Sequence, residues 1–444
     1  MLIRRTCLLL AVLAAALPLA AQQQPTPDAL QVIQAFRRIA ARELWPGFEP
    51  GTTPVEFFDG TSTYLFNHPS PPEGFRPVPG QKDVYVFPGQ HETVRANTGT
   101  LVNGVPTATA DISHTTASVD ELAALLLHET FHVFQGKRYP KWGGNEVDLF
   151  TYPVDDAALL AQRRLESLAL VRALAAKNNE GAACWASRAL AVRAARFAAL
   201  PATAGAYERG VELREGLAQY VQFKSIAKPA ALTAEDFPPD QAQVRQRAYA
   251  TGQAFALLLD RLDPAWKSQL EGEQASLDGV LSARLHAMTV RAGCDFTAAE
   301  SQAAQARAQS DVTELAATLV RRKQEFLAAP GVRLEIVAGK EPLWPQAFDP
   351  WNVLILSGKE VLHTRWLKLG NGAGVIEVLG RSALTEAAGA HPLFNGVRQL
   401  TVTGLADPQV SEADGQVMLR AEGVKATFKG SVEREPSLIR ILLP

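Results

Sequence analysis

The sequence predicts an α+β protein, with a mainly helical unit that carries a small N-terminal sheet and is followed by a β-rich C-terminal domain. Residues 46–112 are rich in Pro, Gly, Thr and Val and contain alternating runs such as Val84-Tyr85-Val86-Phe87, which suit short strands. Residues 118–330 are instead dominated by Ala, Leu and Arg at helical spacing. After Pro330-Gly331 the alternation returns and continues to the C-terminus. At 444 residues the chain is too long for one ordinary domain, and a composition that is 47% hydrophobic and 20% charged supplies enough apolar surface for more than one core.

The chain opens with Met-Leu-Ile-Arg-Arg, an apolar run from Cys7 to Leu17, Pro18, and small residues at Ala20 and Ala21. That order reads as a secretory signal peptide over 1–21, cleaved near Ala21. Its apolar run is shorter than the roughly 20 residues a spanning helix needs, and no later stretch is long and apolar enough to span. The expected product is therefore secreted or periplasmic, with no membrane span once the signal is removed. Loss of Arg4 and Arg5 takes the formal net charge from −2 to −4. With no basic stripe, nucleic acid is excluded as a partner. Cys184 and Cys294 are the cysteines left in the mature chain, and an oxidising compartment permits them to pair.

A Gln/Pro-rich stretch to Asp28 leads into a short helical pattern over Ala29–Leu44. Asn103-Gly104 predicts a hairpin turn, because both residues tolerate positive φ, and Pro106 marks the second strand of that hairpin as an edge. An edge strand around Thr100–Ala108 would let an extended peptide pair by strand addition. Ser118-Val119-Asp120-Glu121 is a capping box that starts the first long helix. Further helical patterns run over 155–177, 182–200, 205–227, 244–262 and 297–328. Strands are expected at Arg333–Val337, Asn352–Leu356, Val361–Leu369, Val375–Leu379, Gln399–Val402, Val417–Ala421 and Val424–Phe428.

The first long helix carries His128-Glu129-Thr130-Phe131-His132. Residues four apart share a helix face, so both imidazoles reach one ion while Glu129 sits beside it. Zinc suits such a pair and keeps an open position for water, from which Glu129 would take a proton. A third ligand is needed. Glu208, Glu212 and Glu215 fall at i, i+4, i+7 on one helical face, where like charges repel and want a cation, and the small residues Gly216 and Ala218 imply close packing around Glu215.

Glu215-Gly216-Leu217-Ala218-Gln219-Tyr220 resembles the Glu-Gly-Phe-Ala-x-Tyr segment of aminopeptidase-N-like gluzincins, whose Glu is the third zinc ligand. Tyr249-Ala250-Thr251-Gly252 resembles their Tyr-x-x-Gly helix. The resemblance covers three short motifs within 118–262 and implies His128, His132 and Glu215 as ligands; Glu212, one turn before Glu215, is then expected in an outer or substrate-contacting position. It also implies that Tyr249 stabilises an oxyanion. His132 and Glu215 are 83 positions apart, so residues 140–205 form a helical insertion, and the Gly-x-Met-Glu-Asn signature for a free amino terminus is absent from 97–111. Glu166 is read as an outer partner of a zinc histidine or, more simply, as the partner of a helical arginine.

The sequence thus points to an exported zinc metallopeptidase of gluzincin type, acting on a peptide or protein substrate through Glu129 and Tyr249. Its catalytic unit would span 29–330 and its β-rich domain 331–444. The alternatives are a non-catalytic binding module with a structural zinc, and a zinc hydrolase for a non-peptide substrate.

Overall fold

The computed structural model describes residues 28–233, 239–271, 275–288, 293–350 and 352–444; the segment read as a signal peptide lies outside them. The described chain is mixed α+β, with ten α-helices and three sheets. The helices are α1 (Ala29–Ala40), α2 (Val119–Arg138), α3 (Glu146–Leu149), α4 (Ala157–Ala175), α5 (Asn179–Ala199), α6 (Ala202–Val211), α7 (Leu217–Ser225), α8 (Gln241–Leu262), α9 (Leu277–His286) and α10 (Ala298–Leu327). No described helix is long and apolar enough to cross a membrane.

The first sheet comprises β1 (Val55–Phe58), β2 (Ser62–Phe66), β3 (Arg76–Pro77), β4 (Val84–Pro88), β5 (Thr98–Val102) and β6 (Val105–Asp111), in the order β3-β4-β2-β1-β6-β5. The turn at Asn103-Gly104 joins β5 to β6, and both of its residues have positive φ. The expectation about the edge is corrected, because β5 is the edge strand and β6 lies inside the sheet. Pro106 is tolerated there because it pairs only with Leu101 of β5; the parallel partner β1 joins β6 from Ala108 onward.

Helix α2 begins at the Ser118–Glu121 capping box, with both reciprocal hydrogen bonds formed. It has few exposed faces, since α1, α7, β5 and β6 all pack against it. That explains its near-continuous apolar sequence, as a helix hydrophobic on most sides is one buried on most sides. Leu122, Leu126, Leu127 and Phe131 are inaccessible, and Phe131 meets Trp45 and Phe48 edge-on. A disulfide between Cys184 of α5 and Cys294 ties the helical insertion to the segment after α9.

Residues 140–205 are helical, forming α3, α4, α5 and the start of α6. The single helix expected over 205–227 is interrupted by a π-helical turn at Glu212–Gly216, between α6 and α7.

The C-terminal part has its own core, built from two sheets. Its strands are β7 (Val332–Val337), β8 (Trp344–Phe348), β9 (Val353–Ile355), β10 (Glu360–His363), β11 (Trp366–Asn371), β12 (Gly374–Leu379) and β13 (Ala383–Ala387). They continue with β14 (Val397–Leu405), β15 (Gln409–Ala413), β16 (Gln416–Ala421), β17 (Val424–Lys429), β18 (Ser431–Glu435) and β19 (Leu438–Leu442). One sheet runs β18-β19-β7-β14-β13-β10-β9 and the other β15-β16-β17-β12-β11-β8. The expected strand Val361–Leu369 is two strands that belong to different sheets, with the chain changing layers after His363. Polar contacts such as Lys323 with Glu360 and apolar ones tie this domain to the helical unit. Phe150, just after α3, sits in the β-domain core, and the C-terminal end of α10 packs Phe326 against Leu362 and Leu384.

Candidate metal centre

α2 presents His128 and His132 one turn apart, and the π turn brings Glu215 to meet them. The Nε2 atoms of the two histidines are 3.0 Å apart, and Glu215 Oε2 lies 3.1 Å from His132 Nε2 and 3.6 Å from His128 Nε2. An ion held tetrahedrally by bonds of about 2.0–2.1 Å places its ligand atoms about 3.3 Å apart. The three observed separations bracket that value. Among the described residues this is the one cluster of three His, Cys, Asp or Glu residues placed to hold a metal ion, and all three are buried.

The far side of each imidazole is fixed. His128 Nδ1 donates to Gln222 Oε1 at 3.0 Å, and His132 Nδ1 donates to Gln135 Oε1 at 2.8 Å. With the proton on Nδ1, the lone pair of each Nε2 is directed at the shared point. Gln135 is itself held in one orientation, because its Nε2 donates to the carbonyls of Leu213 (3.1 Å) and Arg214 (2.9 Å) in the π turn. One buried amide therefore orients a histidine and braces the turn that delivers Glu215. Neither glutamine was identified from the sequence. Their spacing, i+3 from His132 and i+7 from Glu215, is the signal that could have found them.

The π turn also decides which carboxylate faces the histidines. A π turn, with its i→i+5 bonding, advances each residue by a smaller angle than an α turn, so Glu215 rotates off the face shared by Glu208 and Glu212. Those two point into a buried ion network instead. Arg193 donates to Glu166 (2.8 Å), Glu212 (2.6 Å) and Asp278 (3.1 Å), while Arg196 binds Glu166 and both oxygens of Glu208. The position expected for Glu212 is corrected on this ground, as it contacts neither histidine and serves the core beneath the turn. Glu166 takes the simpler of its two expected roles, with Arg193 and Arg196 as the partners.

Glycines make the crossing possible. A Cβ on Gly216 would lie 2.6 Å from Gly252 Cα, and one on Gly252 would lie 2.6 Å from the Glu212 carbonyl oxygen. This backbone contact sets α8 against the turn and brings Tyr249, one turn before Gly252, to the site. The Tyr249 ring stacks over His128, with centroids 6.4 Å apart and planes 14° from parallel. Burial and the neighbouring Glu215 charge keep its phenol protonated. Arg245, one turn earlier on α8, donates to Glu215 Oε1 at 3.1 Å and pairs with Glu146 of α3.

The electrostatics separate the two carboxylates of the site. Burial works to raise the Glu215 carboxyl, but hydrogen bonds and charge from the histidines outweigh it and hold it well below the usual range, so it is an anion. Burial pushes Glu129 up to about 7, and its Oε2 is buried without a hydrogen-bond partner. A carboxylate left in this way beside a metal-shaped triad is the group that would receive a proton there.

Comparison of the chain with protein families, with curated proteins and with solved structures found no match. The fold and the site define an α+β protein with a buried centre of two histidines and one glutamate.

Proposed function

We propose that the protein is a zinc-dependent metallohydrolase of the gluzincin type and that its reaction is hydrolysis of peptide bonds. The observation that carries this reading is the combination of a ligand triad of tetrahedral dimensions with a buried, unpartnered carboxylate next to it. Two imidazoles and one carboxylate form a donor set that zinc takes when a coordination position is left for chemistry. His128, His132 and Glu215 would hold the ion. When bound, zinc would supply Lewis acidity, polarising a carbonyl and easing deprotonation of water.

The remaining work falls to the chain's own residues. Glu129, whose proton affinity is set near neutrality by burial, accepts the proton of the attacking water and returns it to the leaving amine. Tyr249, protonated and stacked over His128, donates a hydrogen bond to the carbonyl oxygen as it becomes negative. The edge strand β5 lies beside α2, with Gly99 against Val133, and supplies unpaired backbone groups along which an extended substrate aligns. A purely structural zinc site gives no account of Glu129, which contributes no ligand and has an unused oxygen.

Purified protein is expected to carry about one zinc per chain, to lose peptide hydrolysis to a chelator and to recover it with zinc. Undiminished hydrolysis by demetallated protein would refute the reading.

A further inference from the structure

Between the helical unit and the C-terminal domain lies a cavity of about 820 Å³. Its walls come from segment 146–154, the middle of α10, and strands β8 and β9. α10 is anchored near its middle by Ala308 and Val312 against Leu160 and Ala161, and at its C-terminal end by Phe326 against the β-domain. Between those anchors Leu315 and Leu319, one turn apart and so on one face, are half-buried and turn toward the cavity without joining any packed core. Phe348 and Ile355 face the same space and are also half-buried. Aliphatic and aromatic groups converging from separate elements on so large a space gain free energy when an apolar ligand replaces water.

The wall formed by β9 narrows the choice of ligand. β9 is the last strand of its sheet, and it pairs with β10 alone among the described strands. Thr364 N donates to Asn352 O and Leu356 N to Glu360 O, so the backbone groups of 352 and 356 point toward β10. Strand backbone groups alternate sides with period two, which leaves the N–H and C=O groups of Val353 and Ile355 on the outer edge. An acyl chain would use the apolar walls only, whereas a polypeptide would use both the walls and this edge. The cavity also adjoins the metal centre, because the ion pair of Glu146 and Arg245 forms a wall common to it and to the smaller cavity that reaches Glu215.

We infer that this cleft is a substrate subsite for an extended, apolar stretch of polypeptide, which pairs with β9 and lays its side chains against Leu315, Leu319 and Phe348. From there the chain continues past Arg245 to the metal centre. The inference rests on the peptidase reading of that centre, and it specifies the substrate class as unfolded or loosely folded protein with apolar segments.

The test is fluorescence anisotropy with a fluorescein-labelled twelve-residue peptide of alternating Val and Leu flanked by Lys, added to full-length, zinc-loaded Glu129→Gln protein, which holds the peptide without turning it over. Saturable binding is expected. The double variant Leu315→Asp, Leu319→Asp in that background should bind at least about tenfold more weakly, with unchanged zinc content and thermal unfolding. The same peptide N-methylated at alternate residues should lose affinity to a similar degree, a measurement that needs no variant to fold. Equal binding by the double variant would overturn the inference. So would full binding of the N-methylated peptide, which would show that the β9 edge is not used, or displacement of the peptide by sodium dodecanoate at comparable affinity, which would assign the cleft to acyl chains. Peptide binding without any hydrolysis by the wild-type protein would sink the catalytic reading and leave the cleft as a peptide site.

Discussion

Replacing Gln135 by Met tests whether one buried amide both orients a ligand and braces the π turn. Met has nearly the same length, so little cavity is left, but all three hydrogen bonds of the amide vanish. These are the 2.8 Å bond from His132 and the two donated to Leu213 and Arg214. Gln135 is fully buried, so water does not replace them. At about 1–3 kcal/mol for each buried polar group left unsatisfied, and with the carbonyls keeping part of their helical bonding, the fold should lose about 2–5 kcal/mol. That is a large share of a typical domain's stability of about 5–15 kcal/mol. Zinc affinity should fall by roughly 10–100-fold, because His132 is no longer held in the tautomer that points Nε2 at the metal. Gln222→Met is the matched control. It removes the 3.0 Å bond from His128, and Gln222 is only half-buried, so zinc affinity should fall similarly while stability falls by about 1 kcal/mol or less. Zinc affinity is read by competition with a chelator of known affinity, and stability by urea unfolding of metal-free protein. Wild-type zinc affinity in Gln135→Met would refute the orienting role, and equal stability losses in the two variants would refute the bracing role.

Glu129→Gln should retain zinc and lower turnover by roughly 10²–10⁴, whereas His128→Ala and His132→Ala should lose the metal; turnover and metal content on the same samples separate the two outcomes. Glu215→Ala should abolish tight zinc binding, while Glu212→Ala should remove one buried partner of Arg193, which keeps Glu166 and Asp278, and cost the fold about 1–3 kcal/mol with the metal site retained; loss of zinc from folded Glu212→Ala protein would reverse that assignment. Burial raises the Glu212 carboxyl to about 8 despite Arg193, so its contribution to stability is full below its ordinary value of 4.5 and is lost as pH rises toward 8. Urea unfolding of metal-free protein between pH 5 and 9 should show this decline, and Glu212→Gln should flatten it. Glu208 runs the other way: burial opposes its charge, but Arg196 prevails and holds it at about 2, so its contribution is present above its ordinary value and fades as pH falls toward 2. Denatured, unreduced protein should show no free thiol at Cys184 or Cys294. Reduction should cost about 4–5 kcal/mol in the chain-entropy account, since the bond closes a loop with a sequence separation of 110; two reactive thiols would reject the bond.

The sequence by itself determined the local features. The capping box at Ser118–Glu121 started α2 where expected, and the four-residue spacing of His128 and His132 put both imidazoles on one face with Glu129 beside them. Asn103-Gly104 gave its turn, and the texture change near Pro330 marked where helices give way to strands. These follow from short-range geometry, because helix periodicity, capping and turn φ values are settled within a few residues. Edge strands such as β15 and β18 were missed for the complementary reason. Ser431–Glu435 is largely polar and exposed, so a burial-driven alternation is absent from it.

The motif resemblance singled out Glu215, but only the tertiary structure decided why this glutamate, and neither Glu208 nor Glu212, faces the histidines and what holds it there. On an unbroken helix Glu208, Glu212 and Glu215 share a face and no periodicity argument separates them. The π turn rotates Glu215 toward α2 and leaves the other two with Arg193 and Arg196, and Gln135, 78 residues away from Leu213, braces that turn. A π turn depends on long-range support of this kind. The contact between Gly216 and Gly252 and the amide of Gln135 come from distant parts of the chain, and together they stabilise a backbone geometry that the local sequence does not prefer.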